Sequence, residues 1–155
     1  MLKNKFFSFI LFFVITFSAS FIGGLASISL KEPWYSQLIK SNYNPPDWIF
    51  APVWTTLYLM MTLAIWFFWH TKNRDMNTVY IYFIHIIINT TWSIIFFGFH
   101  QILLALLNLL IILFFIIWLM KIYYKTTKLS FLLMVPYLLW SSFALLLNTS
   151  ILYLN

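Results

Sequence analysis

Four long runs without Asp, Glu, Lys or Arg constrain the fold of this chain more than any other feature. They cover residues 6–30, 48–71, 76–120 and 129–155. A membrane-spanning helix needs about 20 apolar residues, so three of the runs hold one helix each and the much longer run 76–120 holds two. The break in that run is predicted at Gly98–Gln101, where a glycine and polar side chains interrupt the apolar sequence.

These runs predict an all-α integral membrane protein built as a bundle of five transmembrane helices. They leave little sequence for a soluble part, so we expect a single membrane domain over residues 1–155. The predicted helices cover about residues 6–29, 45–70, 78–98, 101–123 and 130–153, and residues 31–44 form a long first connection.

The composition supports lipid as the solvent of this chain. Hydrophobic residues make up 63% and charged residues 8% of it, whereas a soluble domain carries roughly 25% charged residues. Cysteine is absent, which excludes a disulfide framework, a thiolate nucleophile and a cysteine metal site. A pI near 9.6 is compatible with nucleic-acid binding, but the charges lie between the apolar runs, as topology signals do. We therefore expect the lipid bilayer, and no nucleic acid, as a partner.

The distribution of basic residues predicts the orientation of the chain. With five spans, one side of the membrane carries the N-terminus and the second and fourth connections. That side holds Lys3, Lys5, Lys72, Arg74, Lys121, Lys125 and Lys128, and the other side holds Lys31 and Lys40. The excess predicts a cytoplasmic N-terminus, and the absence of transit features favours a bacterial inner membrane. Residues 18–20 mimic a signal-peptide cleavage site, but the apolar run continues well past them.

The first connection, residues 31–44, is longer and more apolar than the others. It carries large side chains that a solvated loop would not need: Trp34, Tyr35, Leu38, Ile39 and Tyr43. Aromatic side chains with a polar tip belong at a membrane interface. We expect this connection to fold onto the helix ends as an ordered lid, with a short helix through Tyr35–Lys40 and a ligand beneath it.

The second transmembrane helix has a recognisable start. Asn44 is predicted as its N-cap and Pro45 as its first residue, and the Asp47 carboxylate is expected to accept free backbone N–H groups. Pro52 then falls inside the helix and removes a hydrogen bond, so a kink is predicted near Trp48.

The chain contains few groups for acid–base or metal chemistry. Its only carboxylate side chains are Glu32, Asp47 and Asp75, which lie in connections or at a helix edge. No Ser/His/Asp set, glycine-rich phosphate loop or HExxH motif occurs, so hydrolase, kinase and metalloenzyme functions are disfavoured and no metal site is predicted. Proton-coupled transporters usually carry an ionisable group inside the membrane, and here His85 is the sole mid-helix candidate.

Three predicted helices carry aromatic and amide side chains at helical spacing on one face. The faces are Phe50, Trp54, Tyr58 and Met61; His85, Asn89, Trp92 and Phe96; and Tyr137, Trp140, Ala144 and Asn148. Together they predict a pocket with flat indole walls and little charge, which suits a large, flat, mostly apolar ligand. The alternative is packing: His85 is more often a hydrogen-bonded packing residue than a haem ligand, and Asn108 is expected to hydrogen-bond a neighbouring helix.

Three ordered motifs resemble the TspO/MBR family of tryptophan-rich sensory proteins and translocator proteins, the latter also called peripheral-type benzodiazepine receptors. Residues 34–58 match W-Y-x-x-L-x-K followed by P-P-x-W-x-F-x-P-V-W-T-x-L-Y. Residues 89–97 match N-x-x-W-S-x-x-F-F, and residues 136–148 match P-Y-x-x-W-x-x-F-A-x-x-L-N. The motifs occur in family order over almost the whole chain, which makes the resemblance specific.

The resemblance implies a five-helix bundle, a homodimer and a ligand pocket below the first connection. It implies binding of porphyrins such as protoporphyrin and haem, of sterols in some members, and of benzodiazepine-type ligands, with no cofactor required. Carried over residue by residue, its pocket candidates are Trp34, Tyr35, Pro45, Trp54, Tyr58, Asn89, Trp140 and Ala144.

From this resemblance we expect a membrane binding protein or sensor for porphyrins that regulates tetrapyrrole or stress responses. Two alternatives stay open: a light- and oxygen-dependent porphyrin-degrading enzyme with Trp54 or Trp140 as redox-active residues, and a facilitated transporter of tetrapyrroles or sterols. The chain departs from the family where His85 stands in place of a frequent Gln. No Lys or Arg follows Tyr153, which weakens the case for specific sterol binding.

Overall fold

The computed structural model describes residues 4–155, and the regular structure in that range is entirely helical. The helices are α1 (Lys5–Leu30), α2 (Trp34–Gln37), α3 (Phe50–Trp69), α4 (Met76–Ser93), α5 (Ile102–Thr126) and α6 (Lys128–Leu154). A 3-10 turn, Asp47–Ile49, leads into α3, and a π-helical turn, Ile94–Gly98, continues α4. With these turns, the helices other than α2 are long and apolar enough to cross a membrane. The predicted all-α bundle of five transmembrane helices is confirmed.

The spanning helices enclose a core of tightly packed side chains. Helix α1 packs against α3 and α4, α4 packs against α5, and α6 packs against α3 and α5. Met61, Ile65 and Phe68 of α3 and Ile116 of α5 have no exposed surface. Since lipid tails are as apolar as these side chains, close packing and interhelical hydrogen bonds hold such a bundle together.

Buried polar groups join neighbouring helices. The Ser130 hydroxyl of α6 donates to the backbone carbonyl of Ala64 in α3 at 2.7 Å. The Asn108 amide of α5 donates to the Thr91 hydroxyl of α4 at 2.9 Å. This second contact confirms the interhelical hydrogen bond predicted for Asn108.

Two helix starts follow from local sequence. The Asn4 side chain accepts the backbone N–H of Phe6 at 2.9 Å and caps α1. The Asp75 carboxylate accepts the backbone N–H of Thr78 at 2.8 Å and its hydroxyl at 2.7 Å, which caps α4. Such caps satisfy N–H groups that have no partner within the helix.

The start of the second spanning helix differs from the prediction. Asn44 is not its N-cap and Pro45 lies outside it, because helical backbone begins only at Asp47. The Asp47 carboxylate does not cap the helix, because it pairs with the Lys31 ammonium at the end of α1. Pro52 is the third residue of α3, a first-turn position where proline is tolerated because N–H groups there have no partner within the α-helix. The tight 3-10 turn occupies the place of the predicted kink.

The break between α4 and α5 lies at residues 99–101, where the sequence predicts it. At Gly98 an added Cβ would lie 3.2 Å from the Leu30 side chain, so glycine permits the close approach of the end of α1. His100 adopts a positive φ of 55°, and its ring stacks on Trp34 with centroids 4.4 Å apart. The first connection therefore packs against the break between α4 and α5.

The Tyr123 hydroxyl provides a stability test. It is buried and has no hydrogen-bond partner among residues 4–155, whereas the Tyr82 hydroxyl lies 2.6 Å from the Thr16 hydroxyl. An unsatisfied buried polar group costs about 1–3 kcal/mol. We expect Tyr123→Phe to raise the melting temperature of the purified protein in detergent, because the Phe68 ring contact is kept while the unpaired hydroxyl is removed.

Tyr82→Phe is the matched control for that test. It deletes the same atom but breaks the bond to Thr16, so it should cost about 1 kcal/mol of unfolding free energy. Equal destabilisation by both substitutions would show that the Tyr123 hydroxyl has a partner after all.

Candidate ligand-binding cavity

A cavity of about 530 Å³ lies between the spanning helices and opens beneath the first connection. This volume is within the roughly 300–1,000 Å³ typical of small-molecule sites. All five spanning helices line it. The first connection and the 3-10 turn before α3 supply its polar mouth, which consists of Lys31, Glu32, Asn44 and Asp47. The interior is aromatic and small-residue surface, so the cavity suits an apolar ligand with polar groups at one end.

Aromatic rings form the walls of the cavity. The Phe50 and Trp140 rings meet edge to face with centroids 6.0 Å apart, which joins α3 to α6. Along α3, the Trp54 ring lies 5.8 Å from that of Tyr58. On the opposite side, the Trp92 ring stacks on Phe96 at 5.0 Å. Flat rings held in place by one another offer stacking surfaces to a planar ligand at little cost in conformational entropy.

Hydrogen bonds hold the polar side chains of the cavity wall. The Tyr58 hydroxyl donates to Asn89 Oδ1 at 2.5 Å. The Trp92 indole donates to Asn148 Oδ1 at 3.3 Å, and the Asn148 amide donates to the Ile102 carbonyl at 3.1 Å. In contrast, the Trp140 indole N–H is buried without an acceptor among residues 4–155. This N–H is therefore an unsatisfied donor within the cavity wall, which is costly for a buried group.

The first connection covers the cavity and is attached at several points, as the sequence predicts. The Ile39 backbone accepts from and donates to the Asn155 side chain at 3.0 Å and 2.9 Å, which ties the connection to the end of α6. The ammonium groups of Lys40 and Lys31 lie 4.0 Å and 4.7 Å from the centroid of the Tyr35 ring. Burial raises the pKa of the Tyr35 hydroxyl, which stays neutral beneath them. The short helix α2 is at Trp34–Gln37 rather than Tyr35–Lys40.

Most of the side chains that the sequence proposes for ligand binding do meet in this cavity. Those that line it are Tyr35, Phe50, Trp54, Tyr58, Asn89, Trp92, Trp140, Ala144 and Asn148. They come from the connection, α3, α4 and α6, so the helical faces recognised in the sequence point towards one space.

The other candidates lie outside the lining. His85 and Tyr137 have no exposed surface and stand behind the wall, where His85 Nε2 lies 2.9 Å from the Tyr137 hydroxyl. This position argues against His85 as an axial haem ligand, because its ring has no exposed surface and its Nε2 is engaged by Tyr137. Trp34 packs on His100 and Phe96 instead, and Pro45 precedes the 3-10 turn at Asp47 and does not line the cavity.

Sequence reasoning missed the contribution of α1. Ser20, Gly23, Gly24 and Ser27 line the cavity from this helix. They recur at steps of three or four, so a row of small residues along one helical face was the signal that predicts them. An added Cβ at Gly24 would meet nothing within 4 Å, which shows that the missing side chain leaves open space.

Comparison with known proteins agrees with this architecture. A family model described as the TspO/MBR family matches residues 10–154. The tryptophan-rich protein TspO of Chlorobaculum tepidum is 40% identical over 79% of each chain. A tryptophan-rich sensory protein of Cereibacter sphaeroides is 30% identical over 91% of this chain and 90% of its own. The human translocator protein is 31% identical over 74% of this chain and 70% of its own.

Proposed function

This chain belongs to the TspO/MBR family, and from that premise we propose that it binds porphyrins and related flat, hydrophobic ligands within the membrane. Its physiological role in this proposal is that of a sensor: the bound tetrapyrrole reports on tetrapyrrole supply or stress. The names of its relatives, a sensory protein and a translocator protein, support a role of this kind. No further cofactor is required, since the porphyrin or haem is itself the ligand.

The observation that carries the proposal is the aromatic cavity. Trp54, Tyr58 and Trp140 present rings from two facing helices, and Phe50 holds the Trp140 ring in place. Aromatic pairs contribute about 0.5–1.5 kcal/mol each beyond the burial of apolar area. A planar macrocycle that contacts several of these rings at once gains more than a flexible aliphatic ligand of the same size, because neither partner loses much conformational freedom.

The mouth of the cavity complements the charged edge of such a ligand. Protoporphyrin and haem carry their carboxylates on one edge of an otherwise apolar disc. Lys31 lines the mouth, and Lys40 lies nearby over the Tyr35 ring. A ligand carboxylate competes with Asp47 for the Lys31 ammonium, so the ligand is oriented with its apolar part inwards.

The same proposal extends to the orientation of the protein, its membrane and its oligomeric state. The distribution of basic residues supports a cytoplasmic N-terminus and a bacterial inner membrane as the setting of the proposed function. Two copies of the chain form a homodimer, as the family resemblance implies. In this arrangement the cavity mouth, at Lys31 and Asp47, opens on the exported side of the membrane.

Titration of the purified, full-length protein with protoporphyrin tests the proposal. We expect saturable quenching of tryptophan fluorescence in detergent, because Trp54, Trp92 and Trp140 line the cavity. N-acetyltryptophanamide in the same micelles corrects for inner-filter effects and simple partitioning. Quenching that rises without saturation, at the rate seen for the free indole, would refute a defined porphyrin site.

Light-driven breakdown of the bound porphyrin is a second candidate function. The observation that favours it is the presence of two oxidisable indoles, Trp54 and Trp140, in the cavity wall. Illumination of the complex with and without oxygen separates the two functions. Pigment loss that requires protein, light and oxygen together supports breakdown, and loss no faster than that of free porphyrin in micelles leaves binding alone.

A further inference from the structure

A chain of hydrogen bonds runs from the cavity into the core of the bundle. The Tyr58 hydroxyl donates to Asn89 Oδ1 at 2.5 Å, and Asn89 Nδ2 donates to the Tyr137 hydroxyl oxygen at 2.7 Å. The Tyr137 hydroxyl then lies 2.9 Å from His85 Nε2. Tyr58 and Asn89 line the cavity, whereas Tyr137 and His85 have no exposed surface. The chain therefore connects a ligand-facing phenol to a histidine that no ligand touches.

The hydrogen bonds from Tyr58 to Asn89 and from Asn89 to Tyr137 run in one direction, and we assign the contact between Tyr137 and His85 to the same direction. A phenol has a single proton to donate, and Tyr58 uses its proton on Asn89. Tyr137 accepts from Asn89, and its own proton has two candidate acceptors, His85 Nε2 at 2.9 Å and the neighbouring Ser141 hydroxyl; we assign it to Nε2. In this assignment His85 Nε2 is the unprotonated nitrogen of a neutral imidazole and the proton resides on Nδ1, whereas in the other tautomer Nε2 would donate to Tyr137. At the other end, the Tyr58 oxygen keeps a lone pair and no proton for the cavity.

The chain of hydrogen bonds ends at His85. His85 Nδ1 is buried and has no hydrogen-bond partner among residues 4–155. In the assigned tautomer Nδ1–H is an unpaired buried donor, and the contact with Tyr137 is the one hydrogen bond among residues 4–155 that orients the imidazole. The direction of the whole chain depends on His85 Nε2 acting as the terminal acceptor.

We propose that His85 is a positioning residue which, through Tyr137 and Asn89, fixes the Tyr58 hydroxyl as a hydrogen-bond acceptor towards the cavity. The cavity then selects, among flat aromatic ligands of equal shape, those that carry an N–H or O–H donor at this point. This inference rests on the proposed function, because it requires that flat ligands occupy the cavity.

Removal of His85, the terminal acceptor, should reverse the direction of the hydrogen bonds between Tyr137, Asn89 and Tyr58. In His85→Phe a ring of similar size fills the site, but the Tyr137 proton has lost its acceptor. A flip of the Asn89 side-chain amide satisfies both phenols again, because Oδ1 then accepts from Tyr137 and Nδ2 donates to Tyr58. The Tyr58 proton is then directed into the cavity, and no covalent bond has changed. The same wall now presents a donor instead of an acceptor.

The relative affinities of carbazole and dibenzofuran report whether the Tyr58 hydroxyl acts as an acceptor or a donor towards the cavity. Both compounds are planar and nearly identical in shape, but carbazole has an N–H where dibenzofuran has an ether oxygen. Isothermal titration calorimetry of the full chain in detergent, with empty micelles as the blank, gives both affinities. We expect the wild type to bind carbazole about three- to tenfold more tightly, the worth of one net hydrogen bond. In His85→Phe this ratio should fall to one or below, while His85→Gln, which keeps an acceptor, should retain the preference.

A purely structural role for His85 predicts something different. Loosened packing in His85→Phe would weaken both probes by the same factor and leave their ratio unchanged, which would overturn the inference. Equal affinities in the wild type would overturn it too, while the cavity would stand as the site of the proposed function. If neither probe binds saturably, both the inference and a binding site for flat ligands fail.

The histidine tautomer gives an independent readout. The chain has 3 histidines, so His70→Gln/His100→Gln leaves His85 as the sole imidazole. Nitrogen NMR of the ¹⁵N-histidine-labelled variant should show a protonated Nδ1 and an unprotonated Nε2. A protonated Nε2 would mean that the chain runs in the opposite direction and would overturn the inference.

Discussion

Replacement of both Trp54 and Trp140 by alanine is expected to abolish saturable protoporphyrin binding. These indoles line the cavity from α3 and α6, and the Trp140 N–H is a buried donor without an acceptor among the described residues. Truncation of a buried aromatic anchor typically costs at least about 2 kcal/mol, so loss of the pair should weaken binding by at least about 100-fold. The shift of the porphyrin absorption band measures this without relying on the remaining tryptophans.

A matched control removes two exposed tryptophans whose side chains do not line the cavity. Trp48 and Trp118 are the tryptophans with large exposed fractions, 74% and 41%, and neither lines the cavity. Trp48→Ala/Trp118→Ala should keep wild-type affinity within about threefold, because surface changes away from a site are usually worth less than about 0.5 kcal/mol. Unchanged affinity in Trp54→Ala/Trp140→Ala would place the porphyrin somewhere other than this cavity.

Gly24→Phe is expected to block the cavity while the fold stays intact. Gly24 lines the cavity, and a Cβ added there meets nothing within 4 Å. A phenyl group therefore has room to enter, but it takes the space of the ligand. A misfit of one methylene is worth about 10–200-fold in a tight pocket, so a whole ring should weaken protoporphyrin binding by at least about 100-fold.

The stability of the same variant separates blocking from misfolding. A residue other than glycine in a helix interior relieves a cost of up to about 1 kcal/mol, so Gly24→Phe should melt no lower than the wild type in detergent. Gly24→Ala serves as the control, with higher stability and nearly unchanged affinity because a methyl group occupies little of the cavity. Full porphyrin affinity in Gly24→Phe would show that α1 does not bound the ligand.

Much of the fold was predictable because membrane insertion leaves a strong one-dimensional pattern. The charge-free runs predict the five spans, and Gly98–Gln101 marks the break in the longest run. The faces of the helices were predictable for the same reason: Trp54 and Tyr58, or Asn89 and Trp92, are brought to one side by the helical period alone. These features depend only on residues within one helix.

The start of α3 shows where local rules fail. Asn44, Pro45 and Asp47 have the residue types of a capped helix start, yet the helix begins at Asp47. The Asp47 carboxylate is drawn to Lys31, which is 16 residues earlier in the chain and at the end of another helix. A charge brought close by folding competes with the local cap, and nothing in the local sequence records that competition.

The sequence by itself determined the number of spans, their amphipathic faces and the lid-like first connection, because hydrophobic length and helical period act along a single element. Only the tertiary structure decided which members of those faces meet the cavity. His85 and Asn89 share a face of α4, but the packing of Tyr137 from α6 leaves Asn89 in the wall and His85 behind it. It also revealed the open space beside Gly24. Both outcomes depend on how closely neighbouring helices approach each other. The sequence of a single helix contains no repeating pattern that reports this distance.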